Sequence, residues 1–94
     1  MAVEIRVTAQ GDDTYAIGLY EGRSHTRHIV TVDPAFADSL TTGRVDTATL
    51  VRRSFEFLLE HEPKESILAR FELSVIARYF PRYEDEMRRR LART

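Results

Sequence analysis

Three short runs of alternating residues, packed into the first third of the chain, restrict its fold most strongly. Val3, Ile5 and Val7 alternate with Glu4, Arg6 and Thr8. Tyr15, Ile17 and Leu19 alternate with Ala16, Gly18 and Tyr20. His28, Val30 and Val32 alternate with Arg27, Ile29 and Thr31. A period of two, rich in β-branched residues, marks a strand with one face buried. Gly11-Asp12-Asp13 and Glu21-Gly22-Arg23-Ser24 separate the runs, and such compositions turn a hairpin. The reading is an antiparallel β-meander over residues 1–32, with strands at 3–8, 15–20 and 26–32. Three strands with one apolar face need a cover.

The next segment supplies one. Asp33-Pro34 is a helix start, with the acid as cap and proline at the first helical position. That predicts a short helix over 34–40, stopped near Thr41-Thr42-Gly43. Asp46 or Thr47 then caps a longer helix over about 47–61. Leu50, Val51, Phe55, Leu58 and Leu59 recur at helical spacing and form its apolar stripe. Arg52, Arg53, Glu56 and Glu60 fall on the flanks, where charges can pair along the helix. Phe57 falls off the stripe centre, placed to cover its edge or to touch the tail. Pro63 ends the helix. Phe55, Leu58 and Leu59 are expected against Val3, Ile5, Ile17, Leu19 and Val30.

The tail reads as short helices. Ile67, Leu68 and Phe71 have helical spacing behind Pro63, and Ser74 is placed to cap 75–80. Pro81 ends that segment and can begin the last helix. There Glu84, Asp85 and Glu86 come first and Arg88, Arg89, Arg90 and Arg93 last, an order that complements the helix dipole at both ends. The whole is an α+β fold in a single domain, 1–94. It comprises a three-stranded antiparallel meander (1–32), a helical layer with one long packing helix (33–62), and a C-terminal helical tail (63–94).

The string Ser66-Ile67-Leu68, Phe71, Leu73-Ser74-Val75-Ile76, Tyr79-Phe80-Pro81 and Tyr83-Glu84 resembles the tail of a group of short, functionally uncharacterised bacterial proteins. Their helix also ends in an S-F-E-F-L-L-E run, here Ser54 to Glu60, followed by Pro63-Lys64-Glu65-Ser66. The resemblance spans about a third of the chain. It implies a bacterial source and brings no activity, cofactor or active-site residue with it.

Composition narrows the functions. The chain has 94 residues and no cysteine, so disulfides and thiolate metal sites are excluded and a reducing compartment is compatible. No apolar run approaches the roughly 20 residues of a membrane span, and the start lacks a continuous apolar signal core. A cytoplasmic protein is expected. Residues 1–62 carry six Lys/Arg against ten Asp/Glu, and residues 63–94 eight against five. Such an acidic front and basic back can meet in a partner.

No constellation recommends catalysis. His25 and His28 are spaced H-x-x-H, which on a strand points them to opposite faces. Ser24, His25 and Asp33 lack a nucleophile elbow or oxyanion loop. The four glycines form no phosphate-cradling motif. The sequence therefore predicts no enzyme, no catalytic or metal-binding residue, no cofactor and no small-molecule ligand. It points to contacts with macromolecules. Arg6, Tyr20 and Arg27 share the second face of the sheet, and Tyr79, Tyr83, Arg88 and Arg89 mark the tail as the other candidate surface. Protein partners, with self-association the simplest, fit the aromatics and the open sheet edges. Nucleic acid is the alternative, as for a small antitoxin-like regulator. An acidic pI of about 6.3 argues against strong phosphate binding, and Glu4 shares the Arg6–Tyr20 face.

Overall fold

A computed structural model describes residues 2–93. It forms a four-stranded mixed sheet with helices packed on one face. The strands β1 (Glu4–Gly11), β2 (Thr14–Glu21) and β3 (Ser24–Thr31) form the expected meander. Each hairpin turns on only two residues, so the strands run longer than their alternating cores. In the first turn Asp12 and Asp13 both take left-handed φ, 51° and 57°. Asp tolerates this because its short side chain can bond locally. Gly11 precedes them at φ 84°, beside a register shift between Ala9 and Gly11. The second turn rests on Gly22, at φ 60°.

Register settles which face is buried. Ile5 pairs with Leu19, Ile17 with His28, and Tyr15 with Val30. Ile5, Ile17, Leu19 and Val30 are all buried. Above them lies α2 (Thr47–His61), whose stripe residues Leu50, Val51, Phe55 and Leu58 are buried as expected. Leu59 is only partly covered. Arg52 does not pair along its helix. It donates to the Ile5 carbonyl at 2.7 Å, placing a cation on the edge strand β1, a known device against unwanted edge pairing.

The helix starts follow their caps. Asp33 accepts from the Phe36 amide at the head of α1 (Pro34–Thr41). Asp46, rather than Thr47, caps α2. It accepts from the Thr49 amide at 2.9 Å and the Thr49 hydroxyl at 2.6 Å. These bonds, the hydroxyl first, hold its carboxyl below the usual range. Asp46→Ala should lower stability by about 1 kcal/mol, read by urea denaturation. Because the folded-state pKa is depressed, this stabilisation is present above the ordinary carboxylate pKa and lost as pH falls through the lowered one. The wild-type and alanine proteins should therefore converge in acid.

The tail departs from expectation. No helix forms behind Pro63. A single 3-10 turn covers Lys64–Ser66, and the chain then extends into β4 (Arg70–Glu72), parallel to β3. The sheet therefore has four strands, in the order β1-β2-β3-β4. The physical reason lies at β3, whose outer edge would otherwise leave main-chain groups unpaired beside the core. The Ile29 amide donates to the Ala69 carbonyl at 2.8 Å, and His28 Nδ1 bonds the Leu68 carbonyl at 2.7 Å. A parallel strand needs a crossover, and α1 and α2 provide it.

Ser74 caps no helix. It lies inside a 3-10 turn, Leu73–Val75, and donates to Glu72. Two helices follow, α3 (Ile76–Tyr79) and α4 (Tyr83–Leu91). On α4, Tyr83, Met87 and Leu91 fall four residues apart and are all buried. They pack toward α1 and α2, away from the sheet. The Tyr83 hydroxyl bonds Ser54 Oγ at 2.6 Å. Phe57 does touch the tail: its ring lies 5.6 Å from both Phe80 and Tyr83. No helix among the described residues is long and apolar enough to cross a membrane.

Candidate interaction surface

Two surfaces remain after the core is built. The first is the outer face of the sheet, which no helix among the described residues covers. Here Arg6, Tyr20 and Arg27 come together as the alternation requires. Gly18 pairs with Arg6 on one side and Arg27 on the other. The Tyr20 ring lies over Gly18: a Cβ there would meet the ring at 2.7 Å. A side chain at this position would push the tyrosine off the sheet. The Arg6 guanidinium stands 4.5 Å from the Tyr20 centroid, and the His25 ring stacks on it at 5.5 Å. Arg6 also pairs with Glu4 at 2.6 Å. Tyr20 is thus already flanked by two neighbours, which limits it as a platform for stacking bases.

The second surface lies at the free side of β4. An apolar groove of about 430 Å³ opens there between the end of α2, the strand and α3. Leu58, Phe71 and Ile76 form its floor, and Leu68 and Tyr79 stand on its rim. Leu68 is 51% exposed and Tyr79 68%, the two large apolar side chains most open to solvent among the described residues. The sequence sets Leu68 at helical spacing with Ile67 and Phe71; the structure turns it outward. The reason is the backbone, which bends at Ile67 and again at Ala69 instead of winding into a helix. Ile67 and Phe71 turn inward, and Leu68 cannot follow them.

The remaining candidates behave differently. Tyr83 is no surface residue; it is fully buried and bonded to Ser54. The reason is its place on the inner stripe of α4. Burial pushes its phenol well above the usual tyrosine range. Arg88 reaches Glu84 and Asp85, each at 3.5 Å, and the Ser39 carbonyl near the end of α1. Arg89 pairs with Glu86. Arg90 joins Glu86 at 2.9 Å and Glu60 at 2.6 Å. This set knits α4 to itself, to α1 and to α2, in keeping with the dipole order of its charges.

The histidines are also engaged. His28 is buried, with Nδ1 toward the Leu68 carbonyl and Nε2 at 2.8 Å from the Thr26 hydroxyl. A carbonyl only accepts, so Nδ1 carries the proton and Nε2 can accept from Thr26. His25 is exposed on the other face, against Tyr20. Among the described residues, no three His, Asp or Glu side chains gather where a metal ion could sit. No family model, curated protein or solved structure matches the chain.

Proposed function

We propose that this chain is a non-catalytic binding or regulatory module that works through protein contacts, with the groove beside β4 as its contact surface. One observation carries the reading. Leu68 and Tyr79 stay in water on the rim of a groove whose floor is continuous with the core. Exposed apolar patches of this kind, with an aromatic on the rim, are where binding energy concentrates. The bonded state of His28 and of the Ser54–Tyr83 pair supports a structural role for the groups that could otherwise do chemistry. A bacterial, cytoplasmic setting belongs to the same proposal and rests on the tail resemblance and the cysteine-free composition.

A second reading has its own observation. Arg27 and Arg70 flank Ile29 on the open sheet face, and among the described residues neither enters an ion pair within the chain. A small nucleic-acid-binding regulator would use them on phosphate.

One experiment separates the two. The immobilised chain is exposed to lysate of its own cells beside a Leu68→Asp/Tyr79→Asp variant, and any retained protein is identified and its binding remeasured in purified form. Wild type is expected to hold a protein at least about tenfold more tightly than the variant, since losing two anchors costs more than 1.4 kcal/mol. Retention of RNA or DNA that salt removes and the variant leaves intact would instead favour the second reading.

A further inference from the structure

The edge of β4 carries a pattern that matches itself. The Ile29 amide donates to the Ala69 carbonyl. In a parallel ladder that phase turns the main chain of Ala69 and Phe71 toward β3, and that of Arg70 and Glu72 away from it. Arg70 and Glu72 therefore present their amides and carbonyls on the free edge. The Glu72 carbonyl also opens the 3-10 turn at Leu73–Val75, and it keeps a second lone pair. The side chains divide the other way. Phe71 pairs with the buried Val30 and faces the groove, whereas Arg70 and Glu72 pair with Ile29 and Thr31 on the open face. Both are exposed, and among the described residues neither has an ion-pair partner within the chain.

We propose that a second copy of this chain docks on this edge, the two β4 strands pairing antiparallel about a two-fold axis at Phe71. About that axis Arg70 faces the partner's Glu72, and Glu72 faces the partner's Arg70. The two opposite-charge pairs lie directly across from each other, where cross-strand side chains interact most strongly. They are also the positions whose main-chain groups point outward, so each becomes a hydrogen-bonded pair. Phe71 meets its own copy as the closer, non-hydrogen-bonded pair, with Cα atoms about 4.5 Å apart. That brings both grooves, with Leu68 and Tyr79, to one side of a sheet continuous through both subunits. Centring the axis one residue either way sets Arg70 against Arg70 or Glu72 against Glu72, so charge selects the register.

The inference rests on the groove being a protein-contact surface and names the partner. Sedimentation of the full chain from micromolar to millimolar concentration tests it. Wild type is expected to dimerise. Arg70→Glu and Glu72→Arg, both surface changes, should each raise the dimer Kd about tenfold or more. An equimolar mixture of the two variants should recover wild-type association, because each chain then faces opposite charges on the other. A merely misfolded variant would give no such recovery. Monomeric wild type at millimolar concentration overturns the proposal, and so does a mixture that stays dissociated. If wild type is monomeric yet holds another protein through Leu68 and Tyr79, the protein-contact reading survives and the second copy does not. If neither association appears, both fall.

Discussion

Phe55→Ala is expected to lower the free energy of unfolding by about 3–5 kcal/mol. Phe55 is fully buried. Its ring lies 5.6 Å from His28 and 6.0 Å from Phe71, where α2, β3 and β4 converge. Alanine there leaves a cavity that rigid strands on one side and a helix on the other cannot collapse to fill. Small domains hold a total of only about 5–15 kcal/mol, so the loss takes a large share of the whole. Urea denaturation followed by circular dichroism would show the midpoint fall while the slope stays unchanged. A loss below about 1 kcal/mol would mean that α2 does not seal the sheet.

Tyr83→Ala should cost a similar amount, about 3–5 kcal/mol, for a ring equally buried. Tyr83→Phe separates the ring from its hydroxyl. Ser54 already donates to the Leu50 carbonyl at 2.7 Å, so the tyrosine donates to Ser54. Removing that one bond should cost about 1 kcal/mol. The phenol also makes a pH signature. Its folded-state pKa is raised, so its stabilisation is complete below the unfolded value of about 10 and is lost as pH rises through the folded one. Wild type should lose stability above about pH 10 more steeply than Tyr83→Phe. Equal alkaline slopes would place the hydroxyl in water.

The meander and α2 were legible because each has one strong period and local stops. Ile5, Ile17, Leu19 and Val30 alternate on a single face, and Asp46 marks the start of a helix with a continuous stripe. β4 was hidden by its length. Ile67, Leu68 and Phe71 satisfy helical spacing, yet Ile67, Ala69, Phe71 and Leu73 also satisfy a period of two. Three paired residues are too few for the pattern alone to decide, and a parallel partner leaves no turn to mark it. The edge need of β3 decided instead, and that need exists only once the sheet is assembled. Of the candidate surface, Arg6, Tyr20 and Arg27 were legible from alternation, and Tyr79 was marked. Leu68 was missed because it was read in a helical frame. Tyr83 was misplaced because its stripe with Met87 and Leu91 was outweighed by the charges around it.

The parallel strand makes the order of assembly uneven. Two-residue turns close the hairpins almost at once, whereas Arg70–Glu72 reaches its place only after the whole helical layer has been threaded between. Closing that larger circuit costs more chain entropy and is rewarded late. A growing polypeptide would therefore expose the outer rail of β3 until Arg70–Glu72 emerged from the ribosome, and that interval is when it is most open to mispairing with a neighbour.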